Sequence, residues 1–143
     1  MPYRYLEDIA IADVAFEAWG DTLEEMFVAA ADAAMNVMVA DLNAITGAEN
    51  RPLQVAAEEI DMLLFELLQE LIFYKDAERL LLRVPGVAIE ERQGQFLLTA
   101  EACGEEIDPE KHDLIVDVKA VTLHRFKVQP TSQGWEAFVI LDI

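Results

Sequence analysis

Six residues, Leu63, Leu64, Leu67, Leu68, Leu71 and Ile72, set the strongest constraint on this chain. They fall at helical spacing within a helix predicted over residues 58–75. Together they make a broad apolar surface, and Glu59, Glu66 and Glu70 form the narrow stripe left for solvent. Such a helix is buried on most of its circumference. Met62 and Phe73 are expected to be buried with it. The chain therefore has to supply packing layers on more than one side of residues 58–75.

The rest of the sequence supplies mostly strands. Residues 3–6 read as a short edge segment. Residues 12–19, ADVAFEAW, alternate, with Ala12, Val14, Phe16 and Ala18 on a core face and Asp13 and Glu17 on the other. Gly20-Asp21 turns the chain, and Thr22-Leu23-Glu24-Glu25 fits a capping box in which Thr22 and Glu25 satisfy each other's amides. A helix is predicted over 22–40, rich in alanine and so suited to close packing on a sheet. Met26, Met35 and Met38 read as core filling. Residues 43–50 read as a loop, and 53–57, 80–84, 87–91 and 95–102 as strands. Gln93-Gly94 is a plausible hairpin turn.

Gly104-Glu105-Glu106 ends an extended segment, and Asp108 to His112 is a polar connector that Pro109 suits to a turn. Residues 115–124 then read as a long strand. Val116, Val118, Ala120, Thr122 and His124 share one face, and Asp117, Lys119, Val121 and Leu123 the other. Apolar residues on both faces place this strand inside the sheet. Lys119 and His124 point to opposite faces unless a bulge re-aims one. Each also has a plain structural reading: a lysine snorkelling from a sheet rim, and a strand-end histidine bonded to a carbonyl. Residues 126–129 continue or bend the strand, 131–134 turn, and 135–143 alternate again. Two helices within a largely antiparallel set of strands read as an α+β fold in one domain, residues 1–143.

The charge balance narrows function. With 28 acidic and 10 basic residues, the formal net charge is −18. Phosphate backbones repel such a chain, so direct nucleic-acid binding is not expected; cations and partners with basic grooves are. Cys103 is the only cysteine, which excludes an internal disulfide and suits a reducing, cytoplasmic setting. The N-terminal residues run into an acidic stretch without the apolar core of a signal peptide, and no 18-residue apolar window predicts a membrane span.

Two chemistries can be built from the residues. The Asp142 side chain and the Ile143 α-carboxylate lie side by side, and Asp13 would join them if its strand ran beside the last one. Clustered carboxylates repel one another, and a hard divalent cation relieves that repulsion. The alternative is a frayed, solvated terminus with Asp13 at a strand end. Cys103 with His112 or His124 could make a nucleophilic pair, but a cysteine amid strand residues is better read as inert and buried. The sequence contains no GxSxG, GxxxxGK[ST], GxGxxG or CxxC.

Several segments resemble the archease family, small acidic proteins that assist the RtcB-type RNA ligase in tRNA splicing and RNA repair. They are Ala12-Asp13-Val14 leading to Ala18-Trp19-Gly20-Asp21-Thr22-Leu23-Glu24-Glu25, the leucine-rich helix around Glu70, and Gly104-Glu105 with Asp108 and His112. Val118-Lys119-Ala120-Val121-Thr122 with His124 and the ending Val139-Ile140-Leu141-Asp142-Ile143 complete the match. The resemblance implies an α+β fold. It also implies a non-enzymatic role in promoting ligase guanylylation and turnover, and a bound divalent cation: calcium, with magnesium or manganese as alternatives. It places the metal ligands on Asp13, Asp142 and Ile143, and ligase activation on Lys119 with His124. Two departures stand out. The family usually has His-Thr where this chain has Ala10-Ile11, and Trp and Asn where it has Leu67 and Gln69. The other functions considered are a metal- or cysteine-dependent hydrolase and a chaperone-like interaction module. Oligomeric state is left open.

Overall fold

A computed structural model describes residues 2–6 and 13–143. Ala10, Ile11 and Ala12, discussed above, lie outside the described residues. The strands are β1 (Tyr3–Leu6), β2 (Asp13–Gly20), β3 (Glu49–Ala57), β4 (Leu80–Arg83), β5 (Ala88–Arg92), β6 (Gln95–Glu106), β7 (Ala120–Thr131) and β8 (Gly134–Asp142). Helix α1 (Leu23–Met38) follows β2, and α2 (Ile60–Glu78) follows β3.

Both helices form for local reasons and persist for tertiary ones. The Thr22 hydroxyl accepts from the Glu25 amide at 3.1 Å, which satisfies a donor of the first turn of α1. The return half of the expected capping box is displaced: Glu25 accepts from the Asp21 amide, not from that of Thr22. Helix α2 has no side-chain cap and ends on a left-handed Arg79. Its stability comes from burial, since Leu63, Leu64, Leu67 and Leu68 are all fully enclosed. Phe73 escapes that burial and is 54% exposed, contrary to expectation.

The strands form two antiparallel sheets, ordered β1-β2-β8-β7 and β3-β6-β4, with β5 also on β6. Helix α1 packs on β2 and β8, α2 on β3, β4 and β7, and the two helices touch each other. One continuous core joins both sheets and both helices, which meets the demand of the leucine-rich helix. The α+β reading holds. The 93–94 hairpin also holds, with positive φ at both Gln93 and Gly94.

Three expectations change. Strand β3 begins at Glu49, inside the interval read as a loop, because it pairs with β6 as far as Gly104. Residues 115–119 are not a strand; β7 starts at Ala120. Moreover β7 is the edge of its sheet, not an inner strand. Helix α2, not another strand, covers its apolar residues: the Val121 amide donates to Gln69 Oε1 at 3.2 Å, and Phe126 packs edge-to-face on Phe65.

Candidate functional site

Strand β8 lies between β2 and β7, and its register decides which distant residues meet. Asp13 pairs with Asp142, Ala15 with Ile140 and Glu17 with Phe138. Directly paired residues of an antiparallel ladder project to the same face. Val14, Phe16 and Ala18 pair with Leu141, Val139 and Ala137, which are core residues. Asp13 and Asp142 therefore share the face turned away from the helices. Both are partly exposed.

The third strand closes on the same end. Ala120 pairs with Asp142 on its other side, and the Lys119 amide donates to the Asp142 carbonyl at 2.8 Å. Lys119 thus meets the acidic end through its backbone, and the residue is exposed. Ile143 follows Asp142 and packs against the core. Of the five residues singled out by sequence, the fold brings four together: Asp13, Asp142, Ile143 and Lys119. Among the described residues no three His, Cys, Asp or Glu side chains converge as metal ligands. A cation held here would need the Ile143 α-carboxylate beside the two aspartates.

His124 is elsewhere. Between the pairs Thr122–Ile140 and Lys127–Phe138, β7 advances five residues while β8 advances two, so β7 carries three extra residues. His124 sits in this bulge, three β8 residues from Asp142, or roughly 10 Å at about 3.4 Å per residue. Arg125 at its crest has φ 57, and its guanidinium lies 4.7 Å from the centre of the Phe138 ring.

Sequence reasoning missed a second polar constellation. His112 is 2% exposed. Its Nδ1 accepts from the Asp108 amide at 2.9 Å, and its Nε2 lies 2.7 Å from Glu105 Oε1. Lys111 Nζ and the Thr46 hydroxyl both donate to Glu105 Oε2, at 2.9 and 2.7 Å. Hydrogen bonds from Lys111 and Thr46, with a further one from His112, hold the Glu105 carboxyl down at about 2. Both ring nitrogens of His112 are occupied, so it is not free to activate Cys103. Cys103 lies in β6 as expected, but is only partly buried. The signal available in sequence was the GEE…DPEKH spacing; the contribution of Thr46, 59 residues away from Glu105, was not readable.

Residues 107–119 are tied down at several points. Ile115 donates to the Met38 carbonyl, and Ala40 to that of Asp113. Buried Lys75 reaches Asp117 and Asp76. Burial works to lower the Lys75 pKa, but the hydrogen bonds and charges of Asp117 and Asp76 outweigh it and hold the ammonium above its ordinary value.

Comparison with known proteins agrees with this architecture. Residues 3–143 match the Archease protein family (MTH1598/TM1083). The chain is 38% identical over 133 residues to "Protein archease" of Pyrococcus abyssi, covering 92% of this chain and 93% of that one. It is 33% identical over 142 residues to "Protein archease" of Methanosarcina mazei, covering 99% and 95%. The solution structure of Methanobacterium thermoautotrophicum protein 1598 superposes with a TM-score of 0.85 at 36% identity, covering 99% of both chains. The fold is also that of a Thermotoga maritima protein described as an archease, possible chaperone, with a TM-score of 0.57 at 18% identity, covering 98% of both. The chain belongs to the archease family.

Proposed function

We propose that this protein is a non-enzymatic activator of an RtcB-type RNA ligase in the cytoplasm, promoting ligase guanylylation and turnover. The observation that carries this reading furthest is the facing register of Asp13 and Asp142 at one end of the β1-β2-β8-β7 sheet. A diverse surface would scatter its acids, whereas this fold pairs two of them from opposite ends of the sequence. The donor set fits a hard divalent cation: two side-chain carboxylates and the Ile143 α-carboxylate, all oxygen, on one solvent-accessible rim. Calcium is the ion proposed, with magnesium or manganese as alternatives. Bound there, the ion would supply a concentrated positive charge on an otherwise acidic surface.

The chain's own residues do the rest. The β2-β8 ladder sets the spacing of the aspartates. The bond from the Lys119 amide to the Asp142 carbonyl fixes where the lysine leaves the sheet, so its ammonium can engage the ligase beside the acidic end. His124, in the bulge, is assigned a separate contact. The net charge of −18 favours docking to a basic, RNA-binding cleft and disfavours direct binding of nucleic acid.

The test is ligase turnover with GTP, with and without this protein. Stimulation of guanylylation is expected; an unchanged rate with the ligase of the same organism would overturn the reading. A chaperone-like role has one observation in its favour. Leu114, Ile115 and Val116 are consecutive and 43%, 56% and 39% exposed. Suppression of client aggregation without any ligase would favour that reading instead.

A further inference from the structure

The β7 bulge combines three features that nothing in the acidic end of the sheet requires. The first is charge. Of the ten lysines and arginines, six pair with carboxylates: Arg4, Arg51, Lys75, Arg83, Arg92 and Lys111. Among the described residues, the other four have no carboxylate partner, and two of them, Arg125 and Lys127, lie in and beside the bulge; a third, Lys119, stands at the acidic end of the sheet. In a chain with 28 acids, two neighbouring cations without a carboxylate partner are an unexpected arrangement. The neighbouring acids are already engaged: Glu17 by Arg4 and Glu136 by the Gln129 amide.

The second feature is an apolar tip. Leu123 is 58% exposed, the most of any large hydrophobic side chain among the described residues. An exposed leucine is ordinary singly, but this one shares its bulge with an arginine seated on an aromatic ring, and arginine and aromatic residues are enriched at interfaces. The third is backbone strain. Arg125 is a non-glycine residue in the left-handed region, which persists only where surrounding structure imposes it. Here the three extra residues impose it, and the guanidinium rests over the Phe138 ring. Lys127 pairs directly with Phe138, so two cations flank one ring. A cleft of about 420 Å³ opens beside them, and Glu17 and Glu136, already engaged by Arg4 and Gln129 respectively, line its other walls.

We infer that the β7 bulge, with Leu123, Arg125 and Lys127 at its surface, is a docking element for a partner protein that presents carboxylate side chains around an apolar socket. Leu123 enters the socket, and a partner carboxylate enters the cleft to meet the Arg125 fork and Lys127. This rests on the proposed role as a ligase activator and deepens it. The acidic end of the sheet would face a basic part of the ligase, and the bulge an acidic part roughly 14 Å away, from Asp142 to Phe138 at about 3.4 Å per residue. Two contacts of opposite sign set one orientation.

The sign of a charge substitution tests this. If attraction were only that of an acidic protein to a basic ligase, Arg125→Glu with Lys127→Glu would make the chain more acidic and tighten binding. A bulge seated on carboxylates requires the reverse. Binding of the full-length protein to the RtcB-type ligase of its own organism would be measured by calorimetry at low and high salt. We expect the double variant to weaken binding at least tenfold, and Leu123→Ala to weaken it about tenfold with little change in salt dependence. Circular dichroism would check that each variant is folded; Arg125→Gln with Lys127→Gln is the milder substitute if the reversal is not. Unchanged or tighter binding by folded variants would overturn the docking element alone. No binding by the unaltered protein would overturn the activator role and the docking element together.

Discussion

Two polar clusters in this molecule are both built around carboxylates and come out opposite. Around Glu105, one carboxylate gathers Lys111, Thr46 and His112, and every group finds a complement. At the end of β8, two carboxylates face each other in register, with a third, terminal one following. The first cluster is closed and pins residues 107–112 to β6. The second is open, because its carboxylates have the same sign and, although Lys119 meets Asp142 through the backbone, no side chain forms an ion pair with them among the described residues. Polar groups that complete one another hold a fold together. Polar groups held in place yet left incomplete are where an outside ion or partner gains by binding.

The comparison is broken most directly at His112. Replacing this buried imidazole by alanine empties its site and removes the acceptor of the Asp108 amide, while Glu105 keeps its contacts to Thr46 and Lys111. We expect a loss of about 2–3 kcal/mol in urea denaturation, with ligase stimulation retained in the folded fraction. Full stability in His112→Ala would mean the cluster is not a structural clasp.

A comparable effect of opposite sign is expected at the open cluster. Calcium at about 100 times its Kd should stabilise the protein by about 2.7 kcal/mol. Asp13→Asn with Asp142→Asn should abolish that gain. Equal shifts in melting temperature with and without the two aspartates would move the cation elsewhere. Smaller still, Asp142→Ala and Lys119→Ala should each lower ligase stimulation about tenfold, equivalent to about 1.4 kcal/mol, while leaving the denaturation midpoint near that of the parent. A matching fall in stability would make these residues part of the fold.

The smallest effect is a matter of pH. The Glu105 carboxyl is depressed from 4.5 to about 2 on folding. Its contribution is therefore fully present above pH 4.5 and disappears as the pH falls through about 2. Melting temperatures between pH 5 and pH 2 should fall in this window, and Glu105→Gln should flatten that part of the profile. An identical profile in Glu105→Gln would assign the acid sensitivity to other carboxylates.

Much of the fold was legible because it follows from local periodicity. The leucine spacing of α2, the Thr22 cap of α1, the Gln93-Gly94 hairpin and the alternation of β2 and β8 are short-range properties of the chain. So is the core face of β8, with Ala137, Val139 and Leu141 buried as alternation requires. The misreadings have one cause. Residues 115–119 have strand composition, yet their backbone bonds go to Met38 and Asp142 in an irregular path. β7 looked like an inner strand because its apolar residues are covered, and the cover proved to be a helix. Periodicity reports that a residue is buried, but not by what.

For the site, sequence determined which residues carry oxygen, nitrogen and charge, and, through resemblance, which of them to watch. It also set the excess of acid over base. Tertiary structure alone decided that Asp13 and Asp142 stand opposite each other, that Lys119 joins them and His124 does not, and that Glu105 is answered while those aspartates are not. The physical reason is that a side chain's chemistry is local, whereas its partners are chosen by strand register and chain crossings over more than a hundred residues.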